Sequence, residues 1–392
     1  MTDTLFDGAD PHRKPTTAPL GVRAETARLP LPPRLRTASP YGAPQLPAQV
    51  RLNVNESLFS PSSRLLDDVA QSVRGAAANT HRYPDREAHA LRRDLADYLT
   101  RATGVSVSPI NVWPANGSSE VLQQLLLAFG GAGRCVLGSV PSYSMYRIIA
   151  EYLGAEWIGV PRRADFSLDI DDLLTEICRR RPDVTVITRP HSPTGHSSTI
   201  AEIEHIATAA PGIVVVDEAY AEFSAATSAV ALIDRFPTKV VVTRTLSKAF
   251  GFAGGRLGYL VAAPAVIDAL RLVRLPYHLS SLTQAAARAV LRHADDILDG
   301  IAEVLAERDR IRQHLRDQGF HVVDSDANFI LFGGFADASQ AWARYLNRGV
   351  LIRDVGLNHH LRVTVGTRAE NDRFLAVSAQ VGPASEQVDH RR

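Results

Sequence analysis

Five short runs rich in β-branched residues, RCVLGSV, DVTVITR, GIVVVDEAY, KVVVTR and RLGYLVA, lie between Arg134 and Ala262, separated mostly by stretches long enough for crossover helices. Runs with no polar alternation suit strands buried on both faces, and parallel neighbours need long connections between them. The spacing therefore predicts an α/β three-layer sandwich around a mostly parallel central sheet. Upstream, Leu91, Leu95, Tyr98 and Leu99 recur at helical spacing from Glu87, and Leu122, Leu125, Leu126 and Phe129 mark a second helix opening near Ser118. Beyond Pro276 a long helical pattern (Ile297, Ile301, Val304, Leu305, Ile311, Leu315) leads to NFILF, AWARYLN and LRVTVG, which predict a smaller α+β domain.

Composition narrows the function. The chain has 392 residues and a net charge of +1, which gives no electrostatic reason to expect nucleic acid or an acidic membrane surface as a partner. No run of about 18 apolar residues occurs, and the N-terminus lacks the apolar segment of a secretory signal. The two cysteines, Cys135 and Cys178, suggest no disulfide framework, so a reducing cytoplasm is expected. Residues 1 to about 40, including LPLPPRLR, read as a flexible arm, too short and proline-rich for a helix-turn-helix, which argues against a DNA-binding regulator. GFAGGRLG lacks the glycine order of a dinucleotide loop, and the His191/His196 and His359/His360 pairs lack a zinc spacing, so neither a nicotinamide cofactor nor a metal is expected.

Three pieces carry chemistry. In VVVDEAY, Asp217 follows a strand and would stand at the rim of a parallel sheet, where ligands gather, although such an Asp can equally cap the next helix. In RTLSKAFGFAGGRLGY, Lys248 follows the next strand; a lysine in a dry site has its ammonium disfavoured and its neutral amine available to a carbonyl, whereas an isolated one usually snorkels to water. Ser247, Arg256 and the flexible Gly251, Gly254 and Gly255 around it suit a phosphate. In ANGSSEVLQQLLLAF, Gly117, Ser118 and Ser119 begin a helix, either as a second anion site or as an ordinary cap. An amine for an aldehyde, a carboxylate for a ring nitrogen and two phosphate holders make up the set of contacts that pyridoxal 5'-phosphate requires.

These residues carry a resemblance. From Tyr41 to about Phe374 the chain resembles the fold-type-I aminotransferases, and among them the histidinol-phosphate aminotransferases, through HRYPD, ANGSSE, PSYSMY, SPTG, DEAYAEF, RTLSKAFGFAGGRLGY, LPYHLSSLTQAAA, DANFILF and LIRDVG followed by LRVTVGT. The resemblance implies that Lys248 forms the internal aldimine and later shuttles a proton, that Asp217 pairs with the pyridine nitrogen and Tyr220 with the ring oxygen, and that Tyr143 stacks on the ring. It places Ser118, Ser119, Thr245, Ser247 and Arg256 on the cofactor phosphate and Tyr83 on the phosphate of a neighbouring subunit, hence a homodimer with shared active sites. Tyr41, Asn55, Arg353 and Arg362 match substrate-binding positions; from spacing alone, the two arginines equally suit exposed strand charges in surface ion pairs. The implied organisation is a segment at 41–80 associated with the small domain and dimer interface, a large cofactor domain at 81–275 and a small domain at 276–392. The implied reaction converts histidinol phosphate and 2-oxoglutarate to imidazole acetol phosphate and glutamate by ping-pong half-reactions. The second reading is a paralogue acting on an aromatic or specialised amino acid by transamination, oxidation or elimination.

Departures from the family pattern touch the site. Where relatives read Asn-Asn-Pro-Thr-Gly, this chain has RPHSPTG, with Ser192 in place of the Asn that donates to the cofactor's ring oxygen. A serine is shorter and has one donor, so a weaker or water-bridged contact is expected there. Ser57 and Leu58 alter the usual Asn-Glu-Asn-Pro segment, and Tyr146 and Arg147 follow the stacking residue where close relatives carry others.

Overall fold

The computed structural model describes residues 29–36 and 41–384. It divides into two units, Met1–Pro47 and Ala48–Arg392. In the first, the described residues include a single helical turn, Pro33–Arg36, tied by Arg36 Nε donating to Leu31 O at 3.1 Å. Most of the arm expected over residues 1 to about 40 lies outside the described residues.

The second unit begins with the short strand β1 (Val50–Arg51) and then builds the central sheet from β2 (Val112–Ala115), β3 (Cys135–Val140), β4 (Glu156–Pro161), β5 (Val184–Thr188), β6 (Ile213–Asp217), β7 (Val240–Thr245) and β8 (Gly258–Val261). The seven strands lie in the order β2-β8-β7-β6-β5-β3-β4. The contiguous pairs from β4 through β3, β5 and β6 to β7 are parallel, as the valine-rich runs predict. Every residue of β5, β6 and β7 is buried, because helices cover both faces and no position needs to be polar for water.

The run RLGYLVA departs from that pattern. β8 pairs antiparallel with both β7 and β2. The physical reason is the connection: residues 246–257 contain no helix to carry the chain back across the sheet, so it turns and returns beside the strand it has just left.

Helix Ser118–Phe129 buries Val121, Leu122, Leu125 and Leu126 against one sheet face. Helix His89–Thr103 buries Leu91, Leu95, Tyr98 and Leu99, the predicted stripe, and ends on Gly104 in the left-handed region. The long helix expected from Ile297 to Leu315 is instead two, Ala294–Asp299 and Ile301–Asp317, and a separate helix, Ser281–Arg292, precedes them. The break falls at Gly300, where a Cβ would stand 2.8 Å from the Phe59 ring.

The C-terminal part adds β9 (His321–Val322), β10 (Phe329–Gly333), β11 (Val350–Leu351), β12 (Arg353–Leu357) and β13 (His360–Thr364). Four of them form an antiparallel sheet in the order β12-β13-β10-β9, while β1 pairs in parallel with β11. That last pairing ties the start of this unit to its C-terminal part. Among the described residues no helix is long and apolar enough to cross a membrane.

Candidate active site

The predicted residues gather where the parallel strands end. Thr188 at the end of β5, Asp217 at the end of β6 and Thr243 near the end of β7 are neighbours in register. Because β8 runs backwards, its first residue, Gly258, lies at this same edge, opposite both Thr245 and Ala115. The antiparallel strand that departed from the sequence pattern therefore brings Ser118, the first residue after the two-residue exit loop of β2, against Gly258, the partner of Thr245.

An anion cradle results. Ser118 and Ser119 open their helix, and the amides of a first helical turn have no preceding helical carbonyl to serve them. Gly117 sits at φ 81, and a Cβ there would be 2.6 Å from Arg256 Nη2. A Cβ at Gly258 would be 2.1 Å from the Ser118 amide nitrogen. The walls are thus backbone N–H and guanidinium, with no side chain between them. Thr245 Oγ1 accepts the Ser247 amide at 3.1 Å and lies 3.0 Å from Ser247 Oγ. Arg256, in the left-handed region at φ 57, is held by Nη1 donating to Ala253 O at 3.0 Å.

Beside the cradle stands a buried carboxylate. Asp217 is 3 % exposed; Oδ2 accepts the Tyr146 hydroxyl at 2.6 Å and Oδ1 the Ala219 amide at 3.1 Å. Burial raises its pKa, and the Tyr146 and Ala219 donors pull the other way. Tyr143 lies edge-on to Tyr146, ring centroids 5.5 Å apart.

The strand-end loop that carries Asp217 is held from behind by ions. Glu218 accepts from Arg244 Nη2, Ser228 Oγ and the Ala229 amide, each at 2.7 Å, and Arg244 Nη1 donates to Glu222 at 3.1 Å. All three charged side chains are buried, so each charge depends on its partners.

Three consecutive residues draw the remaining groups together. Asn53 O accepts from Arg362 Nη2 at 3.2 Å, Val54 O accepts from Lys248 Nζ at 3.0 Å, and Asn55 Nδ2 donates to the Tyr220 hydroxyl at 2.9 Å. Lys248 is half-buried, its Nζ 5.9 Å from the Tyr220 ring centroid. Asn55, at φ 56, is fixed by Thr364 through its amide and its Oδ1, both at 3.0 Å. Arg362 Nη1 also donates to Ser192 Oγ at 3.2 Å. On the neighbouring strand Arg353 stands opposite Arg362 in register, and its Nη1 is buried without a hydrogen-bond partner among the described residues. Two guanidinium groups side by side favour a doubly charged anion.

One candidate lies elsewhere. Tyr83 is 79 % exposed and stacks on Tyr277, centroids 4.4 Å apart. Tyr41 belongs to the first unit. The sequence marks Tyr146 as a departure that touches the site but gives it no partner or role, and it does not point to the Asn53 and Val54 carbonyls. The available signal for Tyr146 was its spacing of three from Tyr143, which puts both at one side of a helix start.

On this geometry, donors for a phosphate, a buried carboxylate for a protonated ring nitrogen and an amine for a carbonyl fit the cofactor named above. The chain belongs to the aminotransferase class I and II family, whose model matches residues 47–377. It is 63 % identical over 364 residues to the histidinol-phosphate aminotransferase of Nocardia farcinica, spanning 93 % of this chain and 94 % of that one. The histidinol-phosphate aminotransferase of Rhodococcus opacus is 60 % identical over 90 % of this chain and 93 % of its own. Among solved structures, histidinol-phosphate aminotransferase from Sinorhizobium meliloti in complex with pyridoxal-5'-phosphate superposes with a TM-score of 0.80 at 27 % identity, covering 90 % of this chain and 97 % of that one.

Proposed function

We propose that this protein is a pyridoxal 5'-phosphate-dependent aminotransferase that exchanges the amino group of histidinol phosphate with 2-oxoglutarate, giving imidazole acetol phosphate and glutamate. The observation that carries the substrate reading is the Arg353–Arg362 pair across β12 and β13, a second anion site separate from the Ser118–Arg256 cradle. One site holds the cofactor phosphate and the other the phosphate or carboxylate of the substrate.

Bound pyridoxal phosphate supplies an aldehyde for the substrate amine and a ring that takes up electrons from the substrate's α-carbon. The protein does the rest. Ser118, Ser119, Thr245, Ser247 and Arg256 bind the phosphate, and Asp217 holds the proton on the ring nitrogen. Tyr220 and Ser192 orient the ring oxygen; Ser192 Oγ accepts from Arg362, which leaves its own proton for that oxygen. Tyr143 covers the ring face. Lys248 Nζ, held on the Val54 carbonyl, is the amine that would meet the cofactor's aldehyde, and when free it would carry the proton at the substrate's α-carbon. Asn55 sets Tyr220, and Arg353 and Arg362 hold the substrate anion.

The same proposal includes a homodimer in the cytoplasm, with Tyr83 reaching the partner's cofactor phosphate. Its support is an apolar surface around the Tyr83–Tyr277 stack in which Leu272 is 86 % and Leu275 73 % exposed. It also keeps the division near residue 275, supported by separate seven- and four-stranded sheets.

Single-turnover spectra with histidinol phosphate, histidine and phenylalanine test the reaction. Histidinol phosphate is expected to bleach the cofactor's visible band fastest. A faster response to phenylalanine would move the assignment to the aromatic paralogue, and no response to any amine would sink transamination.

A further inference from the structure

One fully buried hydroxyl beside the site has no part in the roles above. Tyr146, in helix Met145–Leu153, is 2 % exposed, and its oxygen lies 2.6 Å from Asp217 Oδ2 and 2.9 Å from Thr188 Oγ1. An ionised carboxylate can only accept, so the phenol donates to Asp217. Its lone pair is then free to take the Thr188 hydroxyl proton, which gives a directed chain from Thr188 through Tyr146 to Asp217. Burial, followed by the Asp217 charge, pushes the Tyr146 phenol well above its usual pKa, so it stays a donor throughout the working range.

We propose that Tyr146 is a positioning residue that holds Asp217 oriented as a carboxylate acceptor for the cofactor's ring nitrogen. The inference rests on the pyridoxal phosphate reading above. Asp217 sits at the C-terminal edge of a sheet buried on both faces, where desolvation favours its protonated form. A protonated carboxyl cannot hold a second proton on a ring nitrogen. The groups bearing on it are Tyr146 and Tyr143 on the β3–β4 connection, Thr188 from β5, Thr243 from β7, and Glu218 next in the chain. The Glu218 charge is already matched by Arg244 and Arg189. Tyr146 therefore supplies the short side-chain donor to Oδ2, and it does so from a different element than the strand that carries Asp217. Two fixed oxygens also fix the carboxylate plane, which sets the direction in which it can accept.

The full-length protein, stripped of cofactor and titrated with pyridoxal phosphate by absorbance, provides the test. Tyr146→Phe removes the hydroxyl and keeps the ring that packs in the core. It is expected to weaken binding about tenfold, the size of one charge-assisted hydrogen bond. It is also expected to move the pH midpoint of the visible band upward, because the ring nitrogen holds its proton less firmly. In an Asp217→Ala background the same change is expected to alter affinity less than twofold. Affinity within twofold of wild type for the single variant, or penalties that multiply independently, would overturn the proposal. If Tyr146→Phe does not fold by circular dichroism, Thr188→Val is read in its place; a roughly threefold loss is expected and unchanged affinity overturns it. Wild-type protein that binds no pyridoxal phosphate would defeat the cofactor reading itself, a separate outcome.

Discussion

At the residue scale, the two departures in RPHSPTG behave differently. Ser192 points to the site and accepts from Arg362, which under the proposed function links the cofactor side to the substrate side. His191 points away: it is fully buried, with Nδ1 2.9 Å from Thr194 Oγ1. Burial first, and then the Arg162 and His196 charges, hold its imidazole well below the usual pKa. Folded protein thus keeps it neutral, while the unfolded chain protonates it below about pH 6.5. The unfolded state then binds more protons, so the stability is complete above that pH and falls as pH drops below it, by at most about 1.4 kcal/mol per pH unit for this group. Urea unfolding at pH 7.5 and 5.5 is expected to show this loss, and His191→Asn to reduce it. An equal loss in the variant would assign the slope to other groups. Nothing in the sequence distinguishes the two neighbours, because the turn that aims one inward and the other at Arg362 is defined by contacts with β13.

At the element scale, the cradle depends on how closely a helix and a strand approach. Gly258 lies in β8 and Ser118 opens a helix that is distant along the chain, yet the space between them admits no methyl group. Gly258→Ala is expected to push the helix start from the strand and weaken pyridoxal phosphate binding by about tenfold or more, with a loss of roughly 1–3 kcal/mol in stability. Equilibrium titration and thermal melting measure the two effects, and an unchanged affinity would remove the cradle from the cofactor site. Strands β5, β6 and β7 were legible because uninterrupted β-branched runs have one comfortable environment, a sheet covered on both sides. The direction of β8 was not, since its residues are equally suited to either orientation and the connecting loop decides. The break between Ala294–Asp299 and Ile301–Asp317 was not legible because the apolar periodicity from Ile297 to Leu315 passes through Gly300, and only the packing of Gly300 against Phe59 shows it.

At the scale of the whole molecule, Leu272, Leu275 and Tyr83 are large apolar groups in water. A second copy of the chain would cover them and bring Tyr83 to the partner's phosphate. Leu272→Asp combined with Leu275→Asp is expected to give a monomer by analytical ultracentrifugation and to lower cofactor affinity. A variant that remains dimeric would move the interface elsewhere. What the sequence determined by itself is local: which segments are strands, that Asp217 and Lys248 follow neighbouring ones, and that Ser118 opens a helix. These follow from side-chain periodicity and chain connectivity, which act over a few residues. Only the tertiary structure decided that Asn53, Val54 and Asn55 would meet Arg362, Lys248 and Tyr220, that Arg353 would face Arg362, and that Tyr146 would donate to Asp217. Those meetings depend on strand direction, register and the folding of β1 against β11, none of which a residue's type specifies.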